Sequence, residues 1–176
     1  MRGNFIDQYV LPLHLLEDAS LYQPIASWMD IKDIHPQIVA NQLTAIEHKL
    51  FCAIDLNELA NSNYSKHPET QAPNFTRLKA FHQNISAWVV DQVLQQTDLS
   101  QRVFAVRFFI NLAHILNTNL NNINGVMEVC SALLSNPIFR LKQTWQKLKK
   151  KDVKKFDDLC SLIKSDGNYH NMRESL

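Results

Sequence analysis

The chain has 176 residues, of which 45% are apolar, and its formal net charge is +1 at pH 7. This is typical of one folded domain with a sizeable core, and the near-neutral charge argues against nucleic acid or acidic substrates as partners. Three glycines and six prolines favour long helices over strands and tight turns. No apolar run is long enough to span a bilayer, and no signal-peptide pattern opens the chain. We therefore expect a soluble, cytoplasmic protein.

Residues 1–30 precede the first clear helical pattern. Their apolar stretches at residues 10–16 and 25–29 fit either an amphipathic segment packed on the domain or a connector from a larger protein. Pro36 then marks a boundary, because proline suits the first turn of a helix. We therefore divide the chain into an N-terminal segment or connector, residues 1–30, and a helical domain, residues 31–176.

Apolar residues then recur three and four positions apart, as they do on one face of a helix. Such stripes occur at Val39, Leu43, Ile46, Leu50 and Ile54; at Phe75, Leu78, Phe81, Ile85, Trp88, Val89 and Val93; at Leu99, Val103, Val106, Ile110 and Ala113; and at Val126, Val129, Cys130, Leu133 and Leu134. Asn74 and Asp98 suit the N-caps of the second and third helices, and the polar residues 61–73 predict a loop. No strand-like alternation persists, so the pattern predicts an all-α fold.

The C-terminal part predicts shorter helices. The pair Asn136-Pro137 ends the fourth stripe, because the residue before proline is pushed out of the helical region. Two helical segments follow over residues 139–150 and 153–164, separated by a basic corner. Asp166-Gly167 reads as a stop signal, and a further helix begins after it.

Residues that carry covalent or metal chemistry are scattered. The sequence has no zinc-binding pattern, no phosphate-cradling glycine loop and no arrangement that suggests a nucleophile with its base. We expect His48 and His82 on the surface, and His114 as a hydrogen-bonded histidine in the core or at its rim. Three cysteines on apolar faces are expected to be reduced core thiols: Cys52, Cys130 and Cys160. We therefore predict a binding scaffold rather than an enzyme, with no catalytic residue, no metal and no cofactor.

One charge run stands out between residues 147 and 155, which contain six lysines. It could touch an anionic membrane surface. A solvated helix corner is the preferred interpretation, because the acidic residues Asp152, Asp157 and Asp158 interrupt the run. Any membrane contact is thus expected to be peripheral, with recruitment to a membrane surface left open.

Four segments in order carry a family signature. They are residues 39–47 with Leu50-Phe51, residues 73–75 leading to 84–89, residues 121–145, and Asn168-Tyr169 with Arg173. Together they resemble the catalytic domain of Ras-type guanine-nucleotide exchange factors (RasGEF), from about His35 to the C-terminus. The resemblance implies a single multi-helix orthogonal bundle. It also implies a domain that binds a Ras-family small GTPase and promotes release of GDP.

The resemblance further implies which residues hold the GTPase. In the family a helical hairpin levers one switch segment of the GTPase away from the nucleotide, while a surface on the domain body holds the other switch. Tyr169 is the expected main contact, because an aromatic ring with a polar tip suits an interface pocket. For Asn121, stabilising its own loop is as good an interpretation as contacting the GTPase. When the family's contact positions are transferred to this sequence, the surface that holds the switch comprises Lys79, Ala80, Gln83, His114, Asn121 and Tyr169.

Three of these positions depart from the family pattern. His114 stands where the family usually has an apolar residue, and Lys79 and Ala80 replace the more common apolar and basic residues. Partner choice or affinity is therefore expected to differ. Three other signature residues are assigned to the core or its hydrogen bonds rather than to the partner: Asn84, Trp88 and Arg140.

The family continues beyond Asn168-Tyr169 through a proline-rich, aromatic segment into the lever hairpin, whereas this sequence ends at Leu176. A fragment of a longer protein and a naturally short domain are both open. We expect weak or no exchange by this chain alone, and self-association through apolar surface that the hairpin would cover. The alternative function is an exchange-inactive RasGEF-like interaction module that binds a GTPase or another protein.

Overall fold

The computed structural model describes residues 31–164 and 166–174, and every regular element within these ranges is helical. The prediction of an all-α fold is confirmed, whereas the predictions for residues 1–30 lie outside the described residues. None of the described helices is long and apolar enough to cross a membrane. The elements are α1 (Pro36–Cys52), α2 (Leu56–Leu59), a 3-10 turn (Ala60–Ser62), α3 (Asn63–Lys66), α4 (Pro68–Gln71), α5 (Pro73–Leu94), α6 (Leu99–Thr118), α7 (Ile123–Leu134), α8 (Asn136–Phe139), α9 (Lys142–Gln146), α10 (Lys150–Leu162) and α11 (Asp166–Glu174).

The core lies where the longer helices meet. α7 packs against α5 and α6, and α1 packs against the same two helices. Their apolar stripes join in one hydrophobic cluster, in which the rings of Trp88 and Phe109 meet edge to face with centroids 5.1 Å apart. α10 packs against α6 and adds Phe156 and Leu159 to the cluster. Burial of apolar surface, at about 25 cal/mol per Å², is the main force that holds these helices together.

Two helix starts follow the sequence prediction. Pro36 occupies the first turn of α1, where the missing N–H of proline has no intrahelical partner to lose. Asp98 caps α6, and its Oδ1 accepts hydrogen bonds from the backbone nitrogens of Ser100 and Gln101 at 2.8 and 3.0 Å. Both starts depend on residues within three positions of the cap, so the local sequence is enough to predict them.

The start of α5 differs from the prediction that Asn74 caps it. The helix begins at Pro73, and Ala72 in the N-cap position has no side-chain acceptor. The carboxylate of Glu58 in α2 accepts instead from the backbone nitrogen of Phe75 at 2.9 Å and from the Asn74 amide at 2.7 Å. A buried carboxylate from another helix therefore caps α5, and Asn74 is a donor to that carboxylate.

Three further predictions of local structure are wrong. Residues 61–73 form single-turn helices rather than a loop, because Pro68 and Pro73 each start a new turn. The expected helix over residues 139–150 is divided, because α8 ends at Phe139 and α9 spans only Lys142–Gln146. The Trp145 indole bridges the break by donating to the carbonyl of Ile138 at 3.0 Å. Asp166 begins α11 and is not a stop.

The cysteine prediction is wrong for one residue. All three cysteines are free thiols, with Cys130 buried and Cys160 partly buried as expected. Cys52 is exposed, because it lies two positions after the buried Leu50 and thus on the opposite side of α1.

Gly125 marks a close approach of α7 to α6. A Cβ atom at this position would lie 3.0 Å from Cδ1 of Leu116 and 3.2 Å from Oδ1 of Asn122. Contacts this short would force the neighbouring side chains to move. Glycine therefore allows the first turn of α7 to lie against α6 while Asn122 caps it, with Oδ1 2.7 Å from the Gly125 nitrogen.

Candidate functional site

Lys79, Ala80 and Gln83 are exposed on one face of α5. Residues four apart lie nearly above one another on a helix, and a neighbouring residue is turned by about 100°. The three side chains therefore share one side of α5, while Leu78 and Phe81 on the other side are buried in the core. α5 is fixed by its packing against α1 and α7, so this face is carried by a rigid element.

Two residues assigned to the core are exposed instead. Asn84 follows Ala80 by one turn and extends the exposed side of α5, and we call the four residues Lys79, Ala80, Gln83 and Asn84 the α5 face. Arg140 is exposed directly after α8. Neither residue is one of the apolar positions that form the buried stripes. That difference could have predicted their exposure from the sequence. Trp88 is buried as expected.

His114 is half-buried on α6, which fits a position at the rim of the core, and the hydrogen bond expected of its ring stays a prediction. Burial lowers the pKa of His114 below its ordinary value of 6.5, and the positive charge of Lys155 on α10 lowers the pKa further. The imidazole is therefore neutral at neutral pH. A neutral ring can occupy a position that is usually apolar more easily than a charged one.

Asn121 and Tyr169 both have positive φ angles, of 49° and 58°. Asn121 is exposed in the turn between α6 and α7, and asparagine tolerates this left-handed conformation. Tyr169 is half-buried in α11, and a positive φ at a bulky residue is uncommon enough to indicate a constrained position.

The six predicted residues thus occupy three places in the fold. Three lie on α5, His114 and Asn121 belong to α6 and the turn after it, and Tyr169 lies on α11. α6 packs against α5 and α10, and α10 packs against α11, so one continuous set of helices carries all three places. No hydrogen bond within the described ranges joins any two of the six side chains.

A polar cluster that the sequence did not predict lies at the packed junction of α1, α5 and α7. His82 of α5 was expected on the surface, but its side chain is 20% exposed and stands between two carboxylates. Its Nε2 lies 3.1 Å from Oε1 of Glu47 on α1, and its Nδ1 lies 3.6 Å from Oε1 of Glu128 on α7. Ser86 donates to Oε2 of Glu128 at 3.1 Å. We call His82, Glu47 and Glu128 the charge triad.

Each group of the charge triad has a shifted pKa. Burial lowers the pKa of His82, but the hydrogen bond to Glu47 and the charges of both carboxylates outweigh burial and raise it above 6.5. Burial raises the pKa of Glu47, but hydrogen bonds from His82, Asn124 and Asn122 reverse this and lower it below 4.5. Burial, together with the charge of Glu47, raises the pKa of Glu128. The triad therefore favours a charged imidazolium beside an ionised Glu47.

Asn122 ties this cluster to the start of α7. Its Nδ2 donates to Oε2 of Glu47 at 2.7 Å and to the Thr44 hydroxyl at 2.9 Å, while its Oδ1 caps α7. The cluster thus fixes the turn that carries Asn121. Within the described ranges, no group of three or more histidine, cysteine or acidic side chains is placed to hold a metal ion.

Comparisons with known proteins agree on one family. The family model described as "RasGEF domain" matches residues 38–176. "Ras guanine nucleotide exchange factor E" of Dictyostelium discoideum is 35% identical over 154 residues, which are 85% of this chain and 15% of that protein. "Ras-specific guanine nucleotide-releasing factor RalGPS1" of Mus musculus is 35% identical over 146 residues, 82% of this chain and 25% of that protein. "Ras-specific guanine nucleotide-releasing factor 1" of Mus musculus is 32% identical over 144 residues, 81% of this chain and 11% of that protein.

The match spans a quarter or less of each of these relatives. Their names describe exchange factors, and nucleotide exchange is a catalysed process in the broad sense, although no covalent bond is made or broken. The prediction that the chain is not an enzyme is therefore wrong, because the family is one of exchange catalysts. Catalysis can also come from tighter binding of one state than another, which requires no reactive side chain. The length of the family match, the helical fold and the named relatives together show that this chain belongs to the RasGEF domain family.

Proposed function

We propose that this chain is the body of a guanine-nucleotide exchange factor, which binds a Ras-family small GTPase and promotes release of its GDP when the domain is complete. The observation that carries the proposal is the family match over residues 38–176. The exchange-factor names of relatives that are 32–35% identical support it.

The mechanism needs no reactive group. If the domain binds the nucleotide-free GTPase more tightly than the GDP-bound form, it lowers the affinity of the GTPase for GDP by the same factor, because the two equilibria are linked. Stabilising the nucleotide-free state then lowers the barrier to release. The helical body supplies shape and surface chemistry, and its rigid packing makes that surface selective.

The exposure of the α5 face supports our placing the contact with the GTPase there. Its side chains are exposed on a helix that the core holds in place, as a pre-formed docking surface requires. His114 would contribute a neutral ring, Asn121 an exposed amide and Tyr169 a half-buried ring. We propose these residues, with Lys79, Ala80 and Gln83, as the surface that holds a switch segment of the GTPase.

Capture of nucleotide-free GTPase tests the proposal. Ras-, Rap- and Ral-type GTPases, stripped of nucleotide or loaded with GDP, are incubated with the immobilised chain, and binding to the nucleotide-free form of at least one type is expected. Lys79→Glu should weaken capture at least tenfold. Lys66→Glu is the matched control, because Lys66 is also an exposed lysine but lies in α3, outside the proposed surface. Equal effects of the two substitutions would contradict the proposed surface.

Release of a fluorescent GDP analogue separates the two candidate functions. We expect little acceleration by this chain and clear acceleration by a version that carries a relative's lever hairpin. Equal rates with and without the hairpin would show that the lever is dispensable. Capture without release in either version would identify the exchange-inactive interaction module instead, and failure to bind any of the GTPases would contradict both functions.

A further inference from the structure

Six cations are exposed on the surface that runs from the end of α8 to the first turn of α10. No carboxylate occurs between residues 140 and 151. No ion pair joins any of the six side chains to another residue in the described part of the chain. We call this set the basic corner: Arg140, Lys142, Lys147, Lys149, Lys150 and Lys151.

One of the three acidic residues that were expected to interrupt this charge does not lie on the surface. Asp152 is buried, with a side chain only 5% exposed, and its Oδ2 lies 3.2 Å from Nε of Arg107 on α6. The contact is an ion pair without an aligned hydrogen bond, since neither of the two atoms has a hydrogen-bond partner. The carboxylate is therefore neutralised on the inner side of α10 and does not offset the lysines outside.

The remaining charges of α10 lie away from the corner. Lys155 donates to Oδ1 of Asn111 at 2.8 Å and is thus directed to α6. Asp157 and Asp158 are exposed three and four residues after Lys154, a spacing at which opposite charges on a helix compensate one another. The six cations of the basic corner remain uncompensated, and their charge exceeds the net charge of the whole chain.

Large apolar side chains are exposed beside the basic corner. Phe139 directly precedes Arg140 and is 63% exposed, and Leu134 at the end of α7 is 46% exposed. α7 packs against α8, so both residues belong to adjoining elements. Exposed apolar side chains next to several cations are the combination that binds the interface of an anionic bilayer, by shallow insertion and by attraction to the headgroups.

We propose that the basic corner docks on an anionic membrane surface, with Phe139 entering the headgroup layer. The exposed Phe139 and Leu134 beside these cations favour a bilayer, which has an apolar layer beneath its charged headgroups. A long nucleic acid would also meet the acidic remainder of a chain whose net charge is only +1. The inference is independent of GTPase binding, because it rests on charge, exposure and the Arg107–Asp152 pair.

Co-sedimentation of the 176-residue chain with vesicles tests this docking. We expect binding to phosphatidylcholine vesicles that contain about 30% phosphatidylserine, no binding to pure phosphatidylcholine, and weakening as salt rises from about 0.1 to about 0.5 M. Each lysine near an anionic surface contributes about fivefold to partitioning, so neutralising three should cost on the order of 100-fold. The corner variant changes Lys149, Lys150 and Lys151 to Gln, and the control variant changes the exposed Lys49, Lys66 and Lys164 to Gln.

A second pair of variants tests the apolar contact. Phe139→Ala should weaken vesicle binding severalfold, whereas Phe51→Ala, at a residue whose exposure of 62% is nearly the same, should leave it unchanged. Helical circular dichroism confirms the fold of each variant. Absence of phosphatidylserine-dependent binding, equal losses in the two triple variants, or tighter binding to a short RNA or DNA than to these vesicles would each overturn the proposal.

Discussion

The Asn122 side chain joins the start of α7 to α1 through three hydrogen bonds, to Gly125, Glu47 and Thr44. Asn122→Ala removes a helix cap, worth about 1 kcal/mol, and deprives a buried carboxylate of a donor, which costs about 1–3 kcal/mol. We expect the free energy of unfolding in urea to fall by about 2–4 kcal/mol. Asn119→Ala is the control, because this exposed amide makes a single hydrogen bond to α1, to the side chain of Gln37. The substitution should lower the free energy of unfolding by less than about 1 kcal/mol. Equal losses would contradict the role of Asn122.

The charge triad makes stability depend on pH near neutrality. The pKa of His82 is higher in the folded chain than its ordinary value of 6.5. The imidazolium therefore stabilises the fold fully below pH 6.5, and the contribution is lost as the pH rises through the raised folded pKa. The melting temperature of the wild type should fall over this range, and that of His82→Gln should change less.

Circular dichroism melts at several pH values between about 5.5 and 8.5 would measure this difference. His48→Gln, at an exposed histidine of α1, is the control and should keep the wild-type profile. Parallel profiles of the wild type and His82→Gln would show that the charge triad does not contribute. Glu47 makes stability depend on pH in the acidic range instead. Its pKa in the folded chain is lowered below 4.5, so its contribution to stability is present above pH 4.5 and is lost on acidification.

At the scale of elements, α2 has a role that its four residues do not suggest. Glu58 in this helix accepts hydrogen bonds from Phe75 and Asn74, and thereby caps the 22-residue helix α5. Glu58→Ala leaves the first turn of α5 without a cap, and we expect a loss of about 1–2 kcal/mol in urea unfolding. Asn74→Ala, which leaves the bond to Phe75 intact, should cost less. A larger loss in Asn74→Ala would contradict capping by Glu58.

The pH dependence of this capping has a defined sign. Burial raises the pKa of Glu58, but hydrogen bonds from Phe75, Asn74 and Asp55 outweigh burial and lower it below 4.5. The stabilisation is therefore present above pH 4.5 and is lost as the pH falls through the lowered folded value. The difference in stability between the wild type and Glu58→Ala should shrink accordingly in acid.

At the scale of the molecule, self-association through the surface that the hairpin would cover remains a prediction, and we propose a further apolar surface at which two copies could meet. Exposed apolar side chains are concentrated where α1 ends and the single-turn helices follow: Phe51, Leu56, Leu59 and Tyr64 are between 42 and 83% exposed. Clustered apolar surface of this kind favours contact with another surface. Light scattering at increasing concentration should show association, and Leu56→Ser should weaken it more than Leu94→Ser, which changes an exposed leucine of α5. A monodisperse monomer at all concentrations would contradict the prediction.

The sequence by itself determined the helical class, the buried stripes and the local caps. Apolar residues three and four apart lie on one helical face in any tertiary context, so most core positions of α1, α5, α6 and α7 followed directly. Leu134 is an exception, because this last residue of α7 is 46% exposed. The cap of Asp98 follows from residues next to it. Family membership was accessible for the same reason, since the signature segments are contiguous in the chain.

Tertiary structure alone decided the polar contacts between helices. His82 looks like a surface residue among polar neighbours, yet Glu47 and Glu128 come to it from positions 35 and 46 residues away. Asp152 looks like part of a charged run, yet Arg107 from α6 removes its charge from the surface. A charge or a hydrogen bond acts over a few ångströms, and only the packing of helices distant in sequence brings such partners within that range.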